Sequence, residues 1–145
     1  MPKSLTRDHC GVRYQLGALI DHVHLRVADL EASRRFYGAA LTALGKEFGG
    51  EGPDHFWVDE LYVSGDGPPT SGVHLAFQAN DRAAVDRFHT AALRAGGLDN
   101  GRPGIRDYGA GYYAAYVRDP DGNNIEAVVH EGHRRSTDAV YVSTA

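Results

Sequence analysis

The stretch HVHLRVADLEASRRFYGAALTALG, residues 22–45, recurs as HLAFQANDRAAVDRFHTAALRAGG, residues 74–97. At this offset of 52 residues, ten of the 24 aligned positions are identical. Self-similarity at a fixed offset is typical of a duplicated supersecondary unit that cannot bury its apolar face alone. We therefore expect the two copies to pack as a pseudo-symmetric pair, with His22 and His74 facing each other across the seam.

Each copy begins with a strand pattern and continues into a helix pattern. In the first copy, apolar and polar residues alternate over residues 22–27, which is the period-2 signature of a strand with one apolar face. Asp29 and Asp81 then offer N-cap oxygens, and apolar residues recur at helical spacing until Gly45 in the first copy and Gly96 in the second. The repeated unit is predicted to be a strand followed by a helix.

Further short strands are predicted after each helix, at residues 56–63, 112–118 and 124–130, with a tight turn at residues 119–122. The fold class that follows is α+β, with two pseudo-symmetric βαβββ modules whose strands form a curved mixed sheet around a cleft and whose helices lie outside. Residues 1–19 are expected to be an N-terminal extension, residues 20–131 a single domain and residues 132–145 a C-terminal tail. Within the domain, module one spans about 20–65 and module two about 72–131. Val73 lies only 28 positions after Gly45, so the hairpin of module one should be abbreviated.

The composition restricts the class of protein. A chain of 145 residues with a net charge of −4 fits one ordinary domain and lacks the clustered basic face of a nucleic-acid-binding protein. The arginines at positions 106, 118, 134 and 135 are interpreted as solvated surface residues. Apolar stretches are too short for a membrane helix. The single cysteine, Cys10, fits a reducing compartment, and we expect a cytoplasmic protein.

Three residues are candidates for one metal site. His22, His74 and Glu126 share the strand face that points away from the helices, since residues two apart on a strand lie on the same side. Only His22 has a histidine at the matching position of the repeat, because His24 matches Ala76. Two imidazoles and a carboxylate bind Zn, Ni, Fe, Mn or Co while leaving positions open for water or substrate. The alternative is that all three are ordinary polar strand residues.

The chain resembles the vicinal oxygen chelate superfamily, the group of glyoxalase I, fosfomycin-resistance enzymes, type I extradiol dioxygenases and bleomycin-resistance proteins. The resemblance covers residues 20–130 and is carried by four segments: DHVHLRVADL at 21–30, RFY at 35–37, GVHLAF at 72–77 and DPDGNNIE at 119–126. Carried over position by position, it implies metal ligands at His22, His74 and Glu126. These are the residues that the duplication selects.

The resemblance also implies roles for other residues. Glyoxalase I adds a fourth ligand on the last strand of the first module, for which Glu60 is the nearest candidate, with Asp59 and His55 as rivals. Tyr116 lies ten residues before Glu126, as a catalytic tyrosine does in extradiol dioxygenases, but the histidine that should precede it is missing. Members of the superfamily often pair as homodimers. A homodimer is therefore implied by the resemblance alone.

Three functions follow as expectations. The first is a glyoxalase-like metalloenzyme, a lyase or isomerase that acts on a small molecule with vicinal oxygens; the second is an Fe(II)-dependent dioxygenase of the same fold. The third is a non-catalytic protein that binds a small molecule, as bleomycin-resistance proteins do. The candidate catalytic residues are Glu60 and Tyr116, and the candidate substrate-binding residues are His24, Arg26, Trp57, Gln78 and Tyr112.

Overall fold

The secondary structure follows the order that the repeat predicts. The structure is a computed structural model that describes residues 5–8, 11–14 and 19–144. Its elements are β1 (Leu5–Asp8), β2 (Gly11–Tyr14), β3 (Val23–Arg26), α1 (Leu30–Ala43), β4 (Gly50–Glu51), β5 (His55–Val58), β6 (Leu61–Ser64), β7 (His74–Gln78), α2 (Arg82–Arg94), β8 (Leu98–Ile105), β9 (Tyr112–Arg118) and β10 (Asn124–His130). Each module is therefore a strand, a helix and three further strands.

The two helices begin at equivalent places of the repeat. The side chain of Asp29 accepts a hydrogen bond from the backbone N–H of Ala32 at 3.0 Å, and Asp81 accepts one from Ala84 at 2.7 Å. Each carboxylate satisfies a backbone donor that the first helical turn leaves without a partner. The predicted caps and the predicted duplication of strand and helix are confirmed by these elements.

Each module forms its own four-stranded mixed sheet. The strand orders are β3-β6-β5-β4 in module one and β7-β10-β9-β8 in module two. In both sheets the first and last strands of the module are parallel neighbours: Val23 pairs with Leu61, and Leu75 pairs with Ile125. β1 and β2 form a separate two-stranded antiparallel sheet within the segment expected to be an extension. The α+β class with paired βαβββ modules is confirmed.

One feature of the sheet differs from the expectation. In the described ranges the two modules form two sheets rather than one continuous curved sheet. The physical reason is that the modules meet through their helices, which contact each other and bury Phe36, Tyr37 and Phe88 completely in a common core. The strands β3 and β7, which a continuous sheet would join, are left as edge strands.

The hairpin of module one is abbreviated, as its length predicts. β4 has only two residues, and the segment predicted as one strand at residues 56–63 is two strands joined at Asp59 and Glu60. Asp59 adopts a positive φ of 46°, which is uncommon for a residue other than glycine. Strand β8 was not predicted, because its sequence LDNGRPGI holds glycine and proline that usually interrupt strands. No helix in the described segments is long and apolar enough to cross a membrane.

Candidate functional site

A cluster of four residues lies on the open face of the module-two sheet: His74 on β7, Glu126 on β10, and Tyr112 and Tyr116 on β9. We call it the module-two cluster. Nε2 of His74 lies 2.8 Å from Oε2 of Glu126, and the hydroxyl of Tyr112 donates a hydrogen bond of 2.5 Å to Oε1. Tyr116 is paired directly with Glu126 in the β9–β10 register. The two strands that flank β10 thus direct side chains toward its one carboxylate.

Burial defines the electrostatics of this cluster. Glu126 is only 1% exposed, so its charge is costly unless neighbouring groups compensate it. Burial raises the pKa of Tyr112 and of Tyr116, and the adjacent Glu126 carboxylate raises each pKa further. Both hydroxyls therefore stay protonated and keep their capacity to donate. The cluster offers a buried carboxylate and an imidazole nitrogen, which are ligands that suit a cation.

A second group of polar and aromatic residues lines a cleft of about 480 Å³ on module one. We call it the module-one cluster; its members are His22, His24, Trp57, Asp59, Glu60 and Tyr62. The side chain of His22 is 67% exposed, and its Nδ1 lies 2.6 Å from Oδ1 of Asp21. Its Nε2 therefore remains available for another ligand.

His24 is held more firmly than His22. Its Nε2 lies 2.7 Å from Oγ of Ser64, and Ser64 in turn donates to Oδ1 of Asp66 at 2.5 Å. Because the proton of Ser64 points to Asp66, His24 is the donor to Ser64. Arg26, a predicted substrate-binding residue, lies at the other side of Asp66 with Nε 3.3 Å from Oδ1. This chain of contacts anchors His24 and Arg26 to the end of β6.

The duplication identifies the residue of module one that is equivalent to Glu126 of module two. Since Val23 pairs with Leu61 and its counterpart Leu75 pairs with Ile125, Leu61 corresponds to Ile125. The next residue, Tyr62, therefore corresponds to Glu126. Glu60, the predicted fourth ligand, lies two residues earlier in the β5–β6 turn rather than on the last strand. A phenol occupies the position where a fourth carboxylate would lie.

The structure brings only part of the predicted site together within one chain. His74, Glu126, Tyr112 and Tyr116 converge, whereas His22, His24, Trp57 and Glu60 line the other cleft. Among residues 19–144, no three His, Cys, Asp or Glu side chains are grouped so that they could hold one ion. Gln78 lies exposed at the end of β7, opposite Val128. The metal trio thus remains a prediction for the single chain.

The segment at residues 119–124 has a structural role that the motif alone does not reveal. Asp119 accepts hydrogen bonds from the backbone N–H groups of Asp121 and Asn123, and from the hydroxyl of Tyr37 at 2.6 Å. Asn123 accepts one from the backbone of Val73 at 3.0 Å. These bonds fasten the β9–β10 turn to helix α1 and to the start of β7. They therefore fix the strand that carries Glu126.

Arg106 is a second residue whose placement differs from the sequence interpretation. The sequence predicts a place at the solvated surface, but Arg106 is partly buried directly after β8, with Cζ 5.3 Å from the centre of the Tyr116 ring. Its backbone N–H pairs with the carbonyl of Tyr112, so it shares the face of the module-two cluster. No periodic signal predicts this, because β8 contains bulges between Asp99 and Gly104.

Comparison with known proteins agrees with the fold and the motifs. Residues 19–127 match the model of the Glyoxalase/Bleomycin resistance protein/Dioxygenase superfamily, and the chain belongs to this family. It is 36% identical over 126 residues to the uncharacterized protein YqjT of Bacillus subtilis (strain 168), covering 74% of this chain and 95% of that protein.

Solved structures show the same architecture. A glyoxalase/bleomycin resistance protein from Albidiferax ferrireducens is 34% identical, with a TM-score of 0.67 over 77% of this chain and 98% of that one. A lactoylglutathione lyase from Agrobacterium tumefaciens is 22% identical, with a TM-score of 0.56 over 79% of this chain and 95% of that one. The second likeness concerns the fold alone.

Proposed function

We propose that this protein is a glyoxalase-like metalloenzyme, in which His22, His74 and Glu126 hold one divalent ion and the substrate is a small molecule with vicinal oxygens. The observation that carries the proposal is the convergence of His74 and Glu126, 2.8 Å apart, with Glu126 buried and without an arginine or lysine partner in the described residues. A divalent ion supplies Lewis-acid polarisation of a bound oxygen when it is present. An imidazole and a buried carboxylate fit such an ion.

The third ligand is proposed to come from a second copy of the chain. His22 directly precedes edge strand β3, and His74 is the first residue of edge strand β7. Each of these strands presents one side of its backbone without a sheet partner in residues 19–144. If β3 of one copy lies beside β7 of the other, the order becomes β4-β5-β6-β3-β7-β10-β9-β8. His22 of one copy and His74 of the other then lie at the centre of one curved sheet. A twofold axis makes two such sites per dimer.

The remaining residues of the site have separate roles in this proposal. Tyr112 holds Glu126 by a hydrogen bond and so orients its second oxygen. Tyr116 keeps its proton, because burial raises its pKa, and its hydroxyl can donate a hydrogen bond to a substrate oxygen that gains negative charge. His24 stays bonded to Ser64 and does not bind the ion.

Metal content of protein purified without chelators or an affinity tag tests the ligand set. We expect about one divalent ion per chain, and a sharp loss of occupancy in the variants His22→Ala, His74→Ala and Glu126→Gln, because a site with three protein ligands loses a bond in each. The matched control is His24→Ala, which removes an imidazole two positions from His22 and should keep most of the metal. Full occupancy in the His74→Ala and Glu126→Gln proteins would contradict the site.

Mixing two variants tests whether the ligands come from two copies. His22→Ala and His74→Ala proteins should each hold little metal, but a heterodimer has one site with both histidines intact and one with neither. Random reassociation makes half of the dimers heterodimers, so occupancy should recover to about a quarter of the wild-type value. If the trio belonged to one chain, each chain would carry one lesion and nothing would recover. A strict monomer in light scattering would also contradict the arrangement.

A non-catalytic binding protein is the second candidate, and the aromatic side chains on the open faces favour it. Trp57 is 41% exposed in the module-one cleft, while Tyr112 makes edge contacts with Tyr108 at 5.3 Å and with His130 at 5.0 Å. Such rings can hold a flat ligand. Tight binding of an aromatic compound by protein that takes up no divalent ion would favour this candidate over the enzyme.

A further inference from the structure

We propose that Arg106 is the substrate-recognition residue of the module-two cluster and that it binds a carboxylate of the substrate. This inference rests on the proposed function, and it narrows the substrate to a small organic acid. Two partly buried arginines occur in residues 19–144, Arg34 and Arg106. Their surroundings differ in one decisive respect, the presence of a carboxylate partner.

Arg34 is neutralised within the protein, whereas Arg106 is not. The guanidinium of Arg34 contacts the carboxylates of Glu31 and Glu51. Arg106 has no carboxylate within 4.0 Å in the described part of the chain, and its acceptors are the backbone carbonyls of Arg102 at 2.6 Å and Ile105 at 3.4 Å. These contacts use two of the five guanidinium N–H donors. A partly buried cation with unused donors is suited to an external anion.

The local backbone holds the guanidinium in place for that purpose. Added Cβ atoms would lie 2.9 Å from Nη1 of Arg106 if placed on Gly104, and 3.4 Å from Nη2 if placed on Gly101. The two glycines of the bulged strand β8 therefore leave the space that the side chain occupies. On its other side the guanidinium lies over the ring of Tyr116, which prevents it from swinging freely. A preorganised guanidinium loses little entropy when it binds an anion.

The position of Arg106 relative to the other residues sets the shape of the ligand. The Tyr116 ring contacts both Arg106, at 5.3 Å, and His74, with ring centres 6.1 Å apart. In the strand order β7-β10-β9-β8, the strand of His74 lies on one side of the strand of Tyr116, and Arg106 follows the strand on its other side. In a ligand whose carboxylate binds Arg106, the carboxylate and the oxygens that reach His74 and Glu126 should therefore be separated by about the width of one aromatic ring. The planar fork of arginine matches a carboxylate through two parallel hydrogen bonds.

The experiment compares phenylacetate with its neutral isostere phenylacetamide, using the full-length protein treated with chelator so that metal binding plays no part. We expect phenylacetate to bind the wild-type protein at least about tenfold more tightly than phenylacetamide, because only the carboxylate forms charge-assisted bonds. Arg106→Gln should remove that preference, and Arg106→Lys should retain part of it. The matched control is Arg102→Gln, four residues earlier on β8, which should leave both affinities within about twofold.

A measurement on the wild-type protein guards against a variant that fails to fold. In 15N-labelled protein, phenylacetate should shift the Nε–Hε signal of Arg106, and phenylacetamide should not. Equal affinity for the two compounds, or an unchanged Arg106 signal at saturation, would overturn the inference. Metal content of the Arg106→Gln protein should stay at the wild-type level. Wild-type protein that holds the metal but shows no preference for phenylacetate would refute this inference alone. Wild-type protein that prefers phenylacetate but holds no divalent ion when purified without chelator would refute only the proposed function.

Discussion

The hydrogen bond between Tyr37 and Asp119 offers a sharp test of how the modules are joined. Tyr37 lies on helix α1 of module one, and Asp119 lies in the β9–β10 turn of module two. The donor and acceptor are 2.6 Å apart, Tyr37 is fully buried and Asp119 is 4% exposed. The substitution Tyr37→Phe removes the hydroxyl and keeps the ring, so its main effect is the loss of this one bond.

The size of the effect follows from burial and charge. A hydrogen bond to a charged group contributes about 1.5–3 kcal/mol to the free energy of unfolding. Asp119 keeps its bonds to the backbone N–H groups of Asp121 and Asn123, so it is not left without donors. We therefore expect Tyr37→Phe to lower the free energy of unfolding by that amount. For a chain of this length the midpoint of thermal unfolding should fall by about 5–10 °C.

Urea unfolding at pH 7, followed by circular dichroism, measures this free energy. The matched control is Tyr113→Phe, which also removes a tyrosine hydroxyl from a carboxylate, Asp86, at 2.7 Å, but near the surface. Surface substitutions of this kind change stability by about 0.5 kcal/mol or less. If the two variants lose equal stability, or if Tyr37→Phe loses less than about 0.5 kcal/mol, the buried hydrogen bond does not hold the two modules together.

The difference in stability between the wild-type protein and Tyr37→Phe should also depend on pH. Burial raises the pKa of Tyr37 well above its ordinary value, and the carboxylate of Asp119 raises it further. The unfolded chain ionises at about pH 10 while the folded chain keeps the proton, so the wild-type protein loses stability as the pH rises above that value. Tyr37→Phe lacks this loss at position 37. The gap in stability between the two proteins should be complete below about pH 9 and should narrow above pH 10.

Two further outcomes test the local structure. Asp29→Ala and Asp81→Ala should each lower the free energy of unfolding by about 1 kcal/mol, because each removes an equivalent helix cap. If the two losses differ by more than about twofold, the two caps are not equivalent. Gly97→Ala places a Cβ 2.5 Å from Val117 and 2.7 Å from Phe36, so it should lower the free energy of unfolding, measured with denaturant, by about 1–3 kcal/mol. The control is Gly65→Ala, whose Cβ would lie 3.6 Å from its nearest neighbour, Leu30, and which should be tolerated.

The fold was predictable where it depends on local pattern. Alternation of apolar residues, the capping aspartates and the glycines at the helix ends are properties of neighbouring residues, and they predict β3, α1, β7 and α2. Strand β8 was not predictable in this way, because its glycines and proline are tolerated only through bulges and pairing with β9. The placement of Glu60 in a turn likewise depends on where β5 and β6 separate.

The candidate site also contains residues that the local pattern predicts and residues that it does not. Strand parity puts His74 and Glu126 on one face, and the parallel pairing of β7 with β10 brings them into contact. Parity says nothing of Arg106, which reaches the same face through an irregular strand. It also says nothing of the depth at which Glu126 is buried, which depends on the side chains of Tyr112 and His74 that cover it.

The sequence by itself determined the duplication, the order of the elements and the residues that share a strand face, because all three follow from spacing along the chain. Only the tertiary structure decided which faces meet. Helices α1 and α2 pack on each other and bury their aromatic residues in a common core, which leaves β3 and β7 as separate edges and His22 apart from His74. Contacts between distant segments depend on how apolar surfaces are best buried together, and periodicity carries no information about that choice.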